Sequence, residues 1–246
     1  MSTGHSPLEQ FEVKTLFSLP QFAGMNVDFT NASLFMLLAV GVASFFLLGG
    51  MAKAALIPSR WQSLAELTYQ FIAGTVRDNV GKEGMAYFPF IFTLFLFILF
   101  CNLLGMIPYS FTVTSHIIVT FALAIVVFLG ITLIAIFKNG LGKFIGHFLP
   151  EGTPWWLAPM MYVIELFSYL ARPVSLSIRL AANMMAGHTM LKVIAGFVVM
   201  LGLLGGWLPL ALLIGLTGFE MAIAILQAYI FTVLTCVYLN DALHMH

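Results

Sequence analysis

Charge is what this chain has least of. Of its 246 residues 8% are charged, ten basic against ten acidic, where a soluble domain carries about a quarter. That scarcity excludes a soluble globular domain, and a formal net charge of zero gives no footing for nucleic acid. Cysteine is nearly absent too. Cys101 and Cys236 both fall inside apolar runs, where they read as small core hydrophobes and not as a disulfide or metal pair. No glycine-rich phosphate loop and no metal-ligand spacing occurs, which argues against nucleotide or metal chemistry in the chain itself. The first thirty residues are polar and mixed, without the basic and apolar regions of a secretory signal, so no cleaved leader is expected.

What is present is apolar. Hydrophobic residues make up 61% and the mean hydropathy is +1.03, the composition of an all-α integral membrane protein. Runs at 31–57, 87–107 and 115–137 have the length of spanning helices. Lys53 falls in the last turn of the first, placed to snorkel to head groups. The stretch 59–80 is too polar to span. Its Trp61, Leu64, Thr68, Phe71, Ile72 and Val76 recur at helical spacing, which predicts one amphipathic helix on the membrane surface. The connector from Pro108 to Thr114 is short and uncharged. His116 and His147 lie near loops and read as incidental.

Basic residues alternate between loops. Lys53, Arg60, Arg77 and Lys82 lie between the first two spans, and Lys138 and Lys143 follow the third. By the positive-inside rule these face the cytoplasm or matrix, and the polar segment 1–30 lies outside. Beyond them, 157–204 and 207–241 predict two helices reversing at Gly205-Gly-Trp-Leu-Pro209. Their lengths, about 70 Å and 50 Å at 1.5 Å per residue, exceed the roughly 30 Å of hydrocarbon. A hairpin steeply inclined across the membrane accommodates them, with Pro173 as the place where the first helix could kink. The architecture expected is therefore about five membrane-embedded helices, one interfacial helix and this C-terminal hairpin.

The hairpin carries the polar residues. Arg179 has no acidic residue within ten positions on either side, and a guanidinium in hydrocarbon costs about 3 kcal/mol or more unless something answers it. Residues level across an antiparallel hairpin have nearly constant index sums. Arg179 with Gln227, Glu165 with Asp241, and His188 with Glu220 share one centre, just before the Gly205-Gly206 turn. On a helical wheel Arg172 and Asn183 fall within about 20° and 40° of Arg179, whereas His188 is about half a revolution away. Glu220, Gln227 and Tyr238 share one stripe of the second helix. Two polar inlets at different depths, parted by a fixed positive charge, suit a stator for ion translocation. Plainer readings exist: Arg172 and Lys192 as interfacial cations, Glu165 and Asp241 as helix-end acids, and Asn183, Gln227 and Tyr238 as interhelical hydrogen-bonding groups. A secondary transporter would need inverted repeats, and none is visible. A structural anchor leaves Arg179 and Glu220 without a reason.

Several segments then carry a resemblance. Ser177-Ile-Arg-Leu-Ala-Ala-Asn-Met-Met-Ala-Gly-His188, Leu216-Thr-Gly-Phe-Glu220, Leu226-Gln-Ala-Tyr-Ile230 and Tyr238-Leu-Asn-Asp241 resemble signature segments of the subunit a family of the F-type ATP synthase. So do Trp61-Gln-Ser-Leu64 and Cys101-Asn-Leu-Leu-Gly-Met-Ile-Pro-Tyr-Ser110. The resemblance implies a proton-translocating stator with two offset half-channels leading to carboxylates on a c-subunit ring. It implies that Arg179 separates them, that Asn183, His188, Glu220 and Gln227 form the outer inlet, and that Glu165 lies on the inner side. Tyr238, Asp241 and Arg172 are further inlet candidates. Many bacterial members carry an acid where His188 stands and a histidine where Glu220 stands; the exchanged pair here matches mitochondrial and alphaproteobacterial types. The implied partners are the c-ring, b-type peripheral-stalk subunits and lipid, with no nucleic acid, no cofactor and no metal. The transported ion is a proton, and the chain has no catalytic site of its own. A bacterial inner membrane is the expected location, a mitochondrial inner membrane the alternative.

Overall fold

In hydrocarbon every backbone amide must find a partner, and a helix provides one within its own segment. The computed structural model describes residues 12–17, 28–51, 55, 57–107, 110–146, 148–149 and 154–244, and it is built of helices. They are α1 (Asn31–Met51), α2 (Arg60–Val80), α3 (Phe88–Gly105), α4 (Ile117–Asn139), the short α5 (Leu141–Gly146), α6 (Ala158–Gly205) and α7 (Trp207–Leu243). Short 3-10 segments at Lys82–Tyr87 and Val113–Ser115 lead into α3 and α4. Two very short strands, β1 (Thr15–Phe17) and β2 (Phe29–Thr30), pair antiparallel before α1. Five helical segments are long and apolar enough to cross a membrane: Asn31–Met51, Lys82–Gly105, Ile117–Asn139, Ala158–Gly202 and Trp207–Leu243. The chain is an all-α, multi-pass membrane protein. Lys53, Pro108, Tyr109 and His147 lie outside the described residues.

The start of α2 is chemically marked. Ser59 accepts a hydrogen bond from the Gln62 backbone N–H at 3.3 Å, capping the helix just after Pro58. Ala65, Ile72, Val76 and Val80 are buried along one side of α2, while Glu66, Arg77 and Asp78 lie on its polar faces. The core lies where α2, α3, α4, α6 and α7 meet, around Ile72, Ile91, Ile98, Val127, Leu180 and Phe231. Cys101 and Cys236 are buried free thiols. Leu37, Phe45, Ile118, Phe137, Val199 and Met200 point outward, as lipid-facing side chains do.

Lipid tails are as apolar as these side chains, so helix association rests on close packing and interhelical hydrogen bonds worth about 0.5–2 kcal/mol each. Such bonds run from Trp61 Nε1 to the Phe46 carbonyl at 3.2 Å and from Asn102 Nδ2 to the Ala224 carbonyl at 3.0 Å. Thr132 and Tyr169 share one at 2.6 Å, and Asn139 Nδ2 donates to the Ala242 carbonyl at 2.7 Å. Lys138 of α4 also pairs with Glu83 ahead of α3.

The hairpin is formed by α6, of 48 residues, and α7, of 37. Helical backbone continues through Pro173; within α6 the one departure is Gly202, with φ 60° and ψ −159°. A left-handed φ is cheap only without a Cβ. The chain therefore begins its reversal at Gly202, a few residues ahead of the expected Gly205-Gly206 turn.

Candidate functional site

Leu176, Ser177, Leu180, Ala181, Met184 and His188 form the buried stripe of α6, at the i, i+4, i+8 spacing of one helix face. Ser175, Arg179, Ala182, Asn183, Ala186 and Met190 form an exposed stripe. Most side chains of that stripe are small, and Arg179 stands up from among them. Among the described residues Arg179 has no ion-pair or hydrogen-bond partner, so its counter-charge does not come from them.

One turn further along, Asn183 Nδ2 donates to Gln227 Oε1 of α7 at 2.9 Å. Gln227 is buried, and among the described residues its Nε2 has no hydrogen-bond partner. Beyond it, His188 Nδ1 stands 3.6 Å from Glu220 Oε1. That separation exceeds a hydrogen bond, and both Glu220 oxygens are buried without a partner among the described residues. His188 Nε2 lies 3.1 Å from Thr112 Oγ1 in the connector between α3 and α4. A cavity of about 240 Å³, lined by Asn183, Gly187, Met190, Leu216, Phe219 and Glu220 among others, joins the two polar levels. Liquid water occupies about 30 Å³ per molecule, so the cavity has room for several. The Glu220 carboxyl forms part of its wall.

The other end of the hairpin is arranged differently. Arg172 Nη1 meets Asp241 Oδ2 at 3.3 Å, with the guanidinium between the rings of Tyr169 (5.3 Å) and Tyr238 (4.8 Å). Tyr169 is tied in turn to Thr132 of α4. Glu165 is half-buried two turns before Arg172, and among the described residues it makes no ion pair or hydrogen bond.

The structure thus brings His188 and Glu220 together as the index sums predict, but not the other two pairs. Gln227 is taken by Asn183 instead of Arg179, and Asp241 by Arg172 instead of Glu165. The physical reason is that Cα–Cβ bonds lean toward a helix N-terminus. In an antiparallel pair, side chains that meet therefore come from Cα atoms with higher index sums than a level pairing implies.

Sequence reasoning missed Thr112 and Asn102. The connector carries no charge, yet Thr112, Thr114 and Ser115 are buried, and Thr112 reaches His188. The signal is a run of hydroxyls without a charge, Thr112-Val-Thr-Ser115, in a connector between two spans. Asn102 holds the Ala224 carbonyl, while its own Oδ1 is buried without a partner among the described residues. His116 stacks on Phe111 at 4.9 Å, and burial pushes its imidazole below the usual histidine range.

The comparisons agree with these segments. The family model described as ATP synthase A chain matches residues 33–240. A protein of Ehrlichia canis (strain Jake) named ATP synthase subunit a is 57% identical over 241 residues, covering 98% of this chain and 99% of its own length. The ATP synthase subunit a of Rhodospirillum rubrum is 57% identical over 242 residues, covering 98% and 100%. That of Ehrlichia chaffeensis (strain ATCC CRL-10679 / Arkansas) is 56% identical over 241 residues, covering 98% and 99%.

Proposed function

Because the chain belongs to the ATP synthase A chain family, we propose that it is the proton-translocating stator of the membrane sector, working against a ring of c subunits. Protons enter from the outer side through the cavity between α6 and α7, where His188, Glu220, Asn183 and Gln227 converge. There they neutralise a carboxylate on the ring. A neutral site can rotate into lipid, where an ionised one would cost several kcal/mol or more. After nearly a full turn it reaches the inner side near Glu165, with Arg172, Tyr238 and Asp241 close by along the hairpin, and releases its proton.

Arg179 attracts the carboxylate so formed. A guanidinium stays charged inside proteins and does not relay protons, so it also separates the two half-channels. Each charge crossing the membrane carries about 2.3 kcal/mol per 100 mV, which becomes rotation. The reading needs no cofactor and no catalytic site in this chain. It places the basic loops in the cytoplasm of a bacterium, the hairpin inclined in the inner membrane, and b-type stalk subunits and lipid against the outward faces.

The observation that carries this reading is Arg179: exposed on a stripe of small residues, without an acid among the described residues, and one turn from the cavity that holds Glu220. A cysteine scan tests it. Disulfides to a helix of a ring subunit are expected from Ser175, Ala182 and Ala186 and not from Leu180 or Met184 on the buried stripe. Equal yields from both stripes, or none from the exposed one, overturn it.

A further inference from the structure

One cavity of the molecule takes no part in the proton path. It lies between α1 and α2, has a volume of about 330 Å³ and shares no lining residue with the cavity beside Glu220. Leu47, Gly50 and Met51, which line it from α1, belong to the last turns of that helix. The 21-residue α2 is not among the five segments apolar enough to cross a membrane. A cavity made by the end of a span and an interfacial helix belongs to the head-group level. The two helices touch there: a Cβ on Gly50 would stand 2.9 Å from the Cβ of Ala65, closer than such carbons approach each other.

Most of the lining is apolar, and among the described residues Glu66 is the one charged side chain in it. A neighbour holds that carboxylate in place. Gln62 is 6% exposed. Its Oε1 accepts from the Ala55 N–H at 3.3 Å, and its Nε2 donates to the Ala55 carbonyl at 3.3 Å and to Glu66 Oε1 at 2.7 Å. Both hydrogens of the Gln62 amide are thereby engaged. Glu66 keeps its second oxygen, which has no hydrogen bond or ion pair among the described residues. Gln70 lines this cavity and also a larger apolar one, of about 810 Å³, with Leu64, Leu67, Phe71 and Leu99.

A fixed carboxylate at the wall of an apolar hollow selects a cation, and the lining selects one that carries hydrocarbon. A divalent metal ion needs several oxygen ligands, and a single carboxylate does not supply them. An anionic head group is repelled by Glu66. A quaternary ammonium has no N–H to give, whereas a primary ammonium donates three hydrogen bonds. We infer that this cavity holds the head of an aminophospholipid, its ammonium donating to the Glu66 carboxylate and its chains lying along the apolar residues of α2. Away from bulk water that charge-assisted bond is stronger than a neutral one. The lipid ties the end of α1 to the interfacial helix from outside the protein.

The test uses the whole membrane sector, reconstituted in vesicles of dioleoyl phosphatidylethanolamine, phosphatidylcholine and phosphatidylglycerol in equal parts. The complex is extracted in mild detergent, captured and washed, and the lipids it retains are quantified by mass spectrometry. Glu66→Gln keeps the shape of the side chain and an oxygen for Gln62. It should retain about threefold to fivefold less phosphatidylethanolamine than the parent, the size of one partly exposed ion pair. Phosphatidylcholine and phosphatidylglycerol should not change. Met51→Trp, which puts bulk into the cavity and leaves Glu66 in place, should lower phosphatidylethanolamine as far, and it stands in if the Gln variant fails to assemble. Equal phosphatidylethanolamine in parent and variant overturns the inference. So does a matching fall in phosphatidylcholine, which shows a lipid held without its ammonium hydrogens. A photo-reactive side chain at Met51 that captures another subunit and no lipid overturns it as well, by placing a protein in the cavity.

Discussion

The two ends of the α6–α7 hairpin hold similar residues and treat them in opposite ways. Near Tyr238 an arginine and an aspartate meet at 3.3 Å, clamped between two tyrosine rings, one of them tethered to Thr132. Near Gly187 a histidine and a glutamate stop at 3.6 Å, and both glutamate oxygens are buried beside a cavity without a hydrogen-bond partner among the described residues. Satisfied charges hold helices together. An unsatisfied acid next to space for water is free to exchange protons on the reading proposed here. The contrast teaches that the polar residues of this hairpin divide by how completely they are answered, not by residue type. Arg179 lies between the two ends and is answered by neither.

The largest effect expected on breaking this contrast is at Arg179. Arg179→Ala should take ATP synthesis by the complex, driven by an imposed pH gradient, down to background. Normal synthesis would refute the stator reading. Next is Glu220→Gln, which removes the acid and should slow passive proton conduction from the outer side by about a hundredfold or more, as loss of a positioned proton donor does. An unchanged rate removes Glu220 from the path. Exchanging the pair, His188→Glu with Glu220→His, keeps one acid and one imidazole. It should conduct better than either single change, and a double variant no better than the worse single one shows that the order of the pair matters. The smallest effect belongs to the inner clamp. Asp241→Asn should leave conduction within about twofold and lower thermal stability by about 1 kcal/mol, as expected of a partly exposed pair. Conduction lost as fully as in Glu220→Gln would erase the distinction between the two ends.

Much of this is readable from the sequence, for identifiable reasons. Hydrocarbon demands long unbroken apolar runs, so the five spans and the oversized hairpin stand out. A charge is rare enough in such runs that Arg179, His188 and Glu220 draw notice without a structure. Partner choice is a different matter. Index sums treat helices as bare cylinders, whereas side chains lean and reach, so Asn183 reaches Gln227 and Arg172 takes Asp241. Thr112 was hidden for another reason. Its polarity is mild and its distance from His188 in sequence is 76 residues, so no local pattern joins them. Pro173 leaves the α6 backbone at helical angles, and the departure from them comes at Gly202 instead. The proline is buried among neighbouring side chains, a setting in which a membrane helix tolerates one.

The exposed stripe of α6 also bears on wear and friction. Helices that interlock large side chains resist sliding, because each knob must climb out of its socket before the partner can advance. Around Arg179 the stripe offers Ser175, Ala182 and Ala186, which give a passing surface little to catch on. On the proposed stator reading, a ring helix passing this face meets few bulky side chains close to Arg179 and one guanidinium, whose hold on a carboxylate ends when that carboxylate is protonated.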